Sequence, residues 1–189
     1  LVLQMMETEL GGEQVYRTAI RCALNPDLKK EWEEYLEETL THQNVVRGLC
    51  DALGLNPDTQ TPSRLVVKHI GESLVKAMEL AQKGGNPAAA QQVACECVVH
   101  AETKDHANWE LLGRVAETAT GEIGKALKAA HEAVEQDEDH HLYHTRGWWR
   151  ELSIEALGMP AVLPPPEEVR NVETAIGASR AEQQRTAML

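Results

Sequence analysis

Apolar residues recur at helical spacing along most of this chain, and the pattern is interrupted mainly at proline and glycine. Met6, Glu9, Glu13, Tyr16, Ile20 and Ala23 share one stripe, which predicts a helix over 3–24 that ends at Asn25-Pro26. Trp32, Tyr35, Thr39, His42, Val46, Leu49 and Leu53 predict a second helix, from Pro26-Asp27 to Gly54, and the short connection makes the pair an antiparallel hairpin. A weaker pattern (Leu65, His69, Leu74, Met78, Ala81) predicts a crossover helix over 62–83, closed by Gly84-Gly85-Asn86-Pro87. Val98, Glu102, His106, Trp109, Gly113 and Ala116 mark a helix from Pro87 to about Thr118. The last long helix is expected over 121–157, with Ile123, Leu127, Ala130, Val134, Glu138, His141, Trp148 and Leu152 inward. Two hairpins joined by a long crossover predict an all-α four-helix bundle over 1–158. A proline-rich linker and a polar tail over 159–189 follow, the tail either a short surface helix or disordered.

The inward stripes contain residues that a core excludes unless they are paired. Glu138 and His141 lie three apart on one face of the last helix, directly in line with its apolar seam. An unpaired buried charge is costly, and metal coordination is a common way to offset it. The other helices offer matching groups. Glu102 lies on the third major helix, with His106 four residues on. The first helix offers Glu9 or Glu13, and the second offers His42 with Glu38 one turn earlier. The competing reading of each is a buried ion pair or a hydrogen-bonded polar residue.

These residues resemble the ligand pattern of the ferritin-like superfamily, which includes ferritin, bacterioferritin and rubrerythrin. In many members the ligand glutamate of the first helix is followed seven residues later by tyrosine. Glu9-Leu-Gly-Gly-Glu-Gln-Val-Tyr16 is similar, which favours Glu9 over Glu13. The resemblance spans 3–157 and departs from the family at Thr39, where a glutamate three before the second-helix histidine is expected. Glu38 and His106 are the candidates to make up that ligand. The resemblance implies a dinuclear iron or manganese centre, with zinc as a substitute, held by Glu9, Glu38, His42, Glu102, His106, Glu138 and His141. It also implies reaction of reduced metal with dioxygen or peroxide, with Tyr16 as a redox or hydrogen-bond partner. Storage, detoxification and oxidation of an organic molecule all remain open. The alternative is a non-catalytic bundle serving association, with a degenerate or mononuclear site.

Composition narrows the setting. A net charge of −12 disfavours a nucleic-acid partner, and no stretch approaches the roughly 18 apolar residues of a membrane span. Cys22, Cys50, Cys95 and Cys97 lack a Cys-x-x-Cys spacing and are expected to be reduced, in keeping with a cytoplasmic protein. The first residues carry neither the basic flank nor the small-residue cleavage site of a signal peptide. Trp148-Trp149 puts two rings on different faces of one helix, so one is expected in the core and the other either at a homodimer interface or under the crossover helix. A ferritin cage needs a short fifth helix docked after the last long one, and the triple proline leading into a polar tail argues against it.

Overall fold

The computed structural model describes residues 1–189 and is all-α. Its helices are α1 (Val2–Cys22), α2 (Pro26–Ala52), α3 (Pro62–Lys83), α4 (Pro87–Thr118), α5 (Gly121–Glu132), α6 (Glu135–Ala156), α7 (Pro166–Val169) and α8 (Ala175–Met188). Three of the long helices begin with the same local device. Asn25, Thr61 and Asn86 each accept backbone N–H bonds of the first turn through the side chain, and Pro26, Pro62 and Pro87 follow directly. The cap satisfies donors that have no partner within the helix, and the proline occupies a position that needs none.

Two large apolar clusters form the core of the bundle, and α1, α2, α4 and the α5–α6 pair each pass from one to the other. One cluster gathers Val15, Tyr16, Trp32, Tyr35, Val98 and Trp148, and the other gathers Met5, Met6, Val46, Trp109, Leu127 and Val134. Following the chain, α1 and α5–α6 run from the second cluster towards the first, while α2 and α4 run the opposite way. Parallel neighbours in sequence need a return path. The crossover helix α3 supplies it, and its 22 residues reach about 33 Å at 1.5 Å per residue. It lies against α1 and α4. Gly11 and Gly71 face each other there: a Cβ on Gly71 would stand 3.5 Å from the Gly11 Cα, so the two backbones approach closely. Arg64 fixes the start of α3 by donating to Glu7 at 2.6 Å and to the carbonyls of Pro57 and Thr59.

Three expectations need correction. The last long helix is broken. Ala133 ends α5, and Val134, with φ −129° and ψ −28°, precedes α6. Ile123, Leu65 and His69 face solvent rather than the core. The tail is the short helix rather than the disordered alternative, and it is anchored more firmly than expected: α7 and α8 dock on α6, burying Glu167, Val172 and Ala181. Trp148 is fully buried, whereas Trp149 is 40% exposed and is not covered by α3.

Candidate metal centre

Between the two apolar clusters lies a buried polar layer, to which each of α1, α2, α4 and α6 contributes. Glu9 comes from α1, His42 from α2, Glu102 and Asp105 from α4, and Glu138 and His141 from α6, all of them buried. The stripes explain the placement: Glu9 falls between Met6 and Tyr16, His42 between Tyr35 and Val46, and Glu102 between Val98 and Trp109. Helical periodicity that turns the apolar residues inward turns these inward too.

The two imidazoles are arranged alike. His42 points Nδ1 at Glu138, 3.0 Å from Oε1, and stands 3.9 Å from Glu9 Oε2; its Nε2 meets Asp137 at 3.1 Å. His141 points Nδ1 at Glu102 (3.5 Å) and Glu138 (3.9 Å), while its Nε2 meets Glu38 at 2.8 Å. Each ring thus has one nitrogen among the buried carboxylates and the other tied to a more exposed carboxylate. That division of labour is the usual arrangement around metal-bound histidine, where the outer partner fixes tautomer and ring orientation. The ring centroids stand 5.7 Å apart.

Two groups of potential ligand atoms result, Glu9–His42–Glu138 and Glu102–Glu138–His141, each with its atoms within 4.8 Å of one another. Glu138 belongs to both.

No Lys or Arg ion-pairs with Glu9, Glu102, Asp105 or Glu138. Buried atoms are left without a hydrogen-bond partner: Glu9 Oε2, Glu102 Oε2, Asp105 Oδ1, Glu138 Oε2 and His42 Nδ1, the last close to Glu138 but poorly aligned with it. Orphaned buried polar groups are uncommon in folded proteins, and a missing ion is one of the few explanations. Burial, reinforced by Asp105, Glu138 and Glu102, pushes the Glu9 carboxyl well above the usual carboxylate range, against the pull of its 3.1 Å hydrogen bond from Trp109. Burial and the charges of Glu138 and Glu102 raise Asp105 strongly as well. Burial also raises Glu138, although its contact with His42 draws it down. Burial alone would lower both histidines. The contacts with Glu102 and Glu38 instead hold His141 well above its ordinary value, and those with Asp137 and Glu138 hold His42 above its own.

The sequence-derived residues fall into three groups. Glu9, His42, Glu102, Glu138 and His141 meet in the buried layer. Glu38 stands behind His141 with its side chain 40% exposed, an outer partner of the ring rather than a member of the layer. His106 turns away and pairs with Asp139 at 2.7 Å on the outer side of α4. Glu13, the rejected alternative to Glu9, pairs with Arg17 and Gln43. Thr39 is buried, and its hydroxyl donates to the Tyr35 carbonyl of its own helix at 2.8 Å. Tyr16 is fully buried, its ring centroid 5.9 Å from that of His141 in an edge-to-face arrangement. Burial and the nearby Glu102 charge push its phenol well above the usual range. Asp105 was missed, although it lies three residues after Glu102, the spacing that identified Glu138 with His141. Asp137 was also missed as the outer partner of His42.

A second acidic-histidine group, Glu31, His144 and Glu168, has different chemistry. His144 Nδ1 meets Glu168 at 2.8 Å, and Nε2 donates to the Val172 carbonyl at 2.8 Å. Both ring nitrogens are engaged with protein acceptors, which describes a charged imidazolium holding the tail and leaves no nitrogen for a metal. Glu31 accepts from Tyr35 and from Trp148. Comparison of the chain with protein families, with curated proteins and with solved structures returned no match.

Proposed function

We propose that this protein is a ferritin-like four-helix bundle, formed by α1, α2, α4 and α5–α6 with α3 as the crossover, and that it binds a dinuclear iron or manganese centre. One observation carries the reading: four carboxylates and two inward imidazole nitrogens share a buried layer with no Lys or Arg paired to them. Four carboxylates are matched in charge by two divalent cations. Oxygen and imidazole donors suit iron and manganese, with zinc as a substitute.

Glu138 is the residue placed to bridge, being common to both ligand groups. Glu9 and His42 serve one position, and Glu102 and His141 the other. Asp105 supplies the carboxylate that Thr39 cannot, moving it from α2 to α4. Asp137 and Glu38 hold the outer nitrogens of the two rings, so that the inner nitrogens are the ones that would give up their protons to a cation. Bound in this layer, reduced metal would supply reactivity towards dioxygen or peroxide. The chain's own part is to exclude bulk water with Trp109, Tyr35 and Tyr16, and to release the protons that the raised carboxyls hold. Tyr16, beside Glu102 and His141, is the candidate redox or hydrogen-bond partner.

Titrating metal-free protein with Co2+, and counting metal in protein purified from iron- or manganese-supplemented cells, tests the reading. Two equivalents that fall sharply in Glu138→Gln are expected. A single equivalent supports the mononuclear alternative, which the inert Thr39 favours. Less than about 0.2 equivalents of any transition metal, with no proton release on titration, sinks the metal reading altogether.

A further inference from the structure

The buried layer is not sealed on every side. A groove of about 730 Å³ opens between α4 and the α5–α6 break, and Glu138 and Trp109 form part of its wall. Only three of its fourteen lining residues are hydrophobic, so an apolar organic molecule would find little to bury. Glu138 is 2% exposed, and its Oε2 has no partner; it is both a wall of the groove and a member of the buried layer.

The groove is organised as two facing ladders. On α6, Glu135 and Asp139 lie one turn apart, about 6 Å along the axis. On α4, His106 and Glu110 stand at the same spacing, and His131 of α5 closes the outer end. Two histidine–carboxylate pairs line this space: His131–Glu135 at 3.4 Å, four residues apart across the α5–α6 break, and His106–Asp139 at 2.7 Å, which joins α4 to α6. Exposure grades inward: the Glu135 side chain is 60% exposed, Asp139 23% and Glu138 2%. The nearby cations are already engaged, Arg114 with Glu117 and Lys128 with Glu132. Gly113 makes room for the His131 ring, since a Cβ there would stand 2.4 Å from its Nε2.

We propose that this groove is the inlet through which hydrated divalent transition-metal cations reach the buried layer. His131–Glu135 is the outer relay, His106–Asp139 the inner one, and Glu138 the point of transfer. This rests on the reading of the buried layer as a metal centre, and it adds a route and a set of residues. The relay residues are oxygen and imidazole donors of the same type as the final ligands. A cation can therefore exchange its water for protein ligands stepwise instead of losing it all at one barrier. Acidic clefts also concentrate cations, raising association rates by about 10- to 1,000-fold in a salt-dependent way.

Stopped-flow mixing of metal-free protein with Co2+, followed by the cobalt d–d absorption, tests the inlet. The double variant Glu135→Gln/Asp139→Asn should take up Co2+ about tenfold more slowly than the parent at low salt, and reach the same final number of equivalents. Glu79→Gln, an exposed charge on α3 away from the groove, should leave the rate unchanged. Equal rates in the double variant and the parent would overturn the inlet while leaving the metal centre standing. A double variant that loses equivalents at an unchanged rate would overturn it too, making Asp139 a resident ligand. A parent that takes up no Co2+ would overturn both readings.

Discussion

Helix α6 buries one carboxylate near its start and another near its end, and the two are treated in opposite ways. Glu151 is fully buried, and both of its oxygens are satisfied. It accepts from Arg150 at 3.0 Å, from Arg185 at 2.7 and 3.0 Å, and from the Val162 backbone at 2.8 Å. Arg150 also grips Glu167 at 2.5 and 2.8 Å. Glu138 is equally buried but has no Arg or Lys, one orphaned oxygen, and other carboxylates for company. Burial alone does not mark a site. Burial without compensation does, because the chain has shown elsewhere on the same helix how it neutralises a carboxylate when structure is the only purpose.

The contrast predicts effects of opposite sign. Glu151→Gln should destabilise the protein by about 3 kcal/mol, because the partly buried Arg185 loses its counter-charge and Arg150 loses one of its two. In metal-free protein, Glu138→Gln should instead raise stability, by roughly 1 kcal/mol, since a neutral amide relieves repulsion among the carboxylates. Urea unfolding of chelator-treated protein measures both, and equal losses at the two positions would erase the distinction. The proposed metal centre extends the contrast to binding. Asp137→Asn and Glu38→Gln, which free the outer nitrogens of His42 and His141, should each weaken Co2+ binding by about 10- to 100-fold. Glu168→Gln at His144 should not alter it. Calorimetric titration would expose the pattern as wrong if Glu168→Gln cost as much as the other two.

The smallest effect concerns the tail. His144 is held above its ordinary value: burial lowers it, but Glu168, Glu31 and the Val172 carbonyl overcome that. Its share of tail docking is therefore complete below the unfolded value of about 6.5 and fades as pH rises through the higher folded value. Burial and the Glu168 charge push Glu31 up to about 7, which likewise withdraws stability as pH climbs from its unfolded value towards 7. Glu168 is lowered by His144, so its contribution is present above its unfolded value and disappears on acidification. Docking of α7–α8 should be firmest near about pH 4.5, weaken as Glu31 ionises towards pH 7, and weaken further as His144 loses its proton. Hydrogen exchange of α8, corrected for intrinsic rate, should show less protection at pH 8.5 than at pH 6. Equal or greater protection at pH 8.5 would contradict this assignment.

How much of this was legible in the sequence depended on whether the cause was local. Helix α4 starts at Pro87 and ends at Thr118 as expected, because Asn86 and Pro87 set its start within the segment itself. Glu138 with His141 could be read because helical phase alone puts them among apolar residues, whereas Glu9 shared its stripe with Glu13 and was separated from it only by the family resemblance, through Tyr16 seven residues on. Asp105 had the same phase signal, but His106 next to it drew the assignment, and one residue of helical rotation (100°) separates the buried layer from the outer groove. The break before α6 carries no Gly or Pro and has no local signal. The tail read as solvated because its charges find their partners on α6, Arg185 with Glu151 and Glu167 with Arg150, pairings that no window of sequence contains.

The break at Ala133–Val134 has an electrostatic consequence. A continuous helix would have placed Glu138 in mid-segment, where peptide dipoles cancel along the axis. Starting a new helix at Glu135 puts Glu135, Asp137 and Glu138 in its first turn, with no side-chain cap on the backbone N–H groups. The first turn of a helix carries roughly half a positive charge. The backbone itself supplies part of the positive potential that the crowded carboxylates lack.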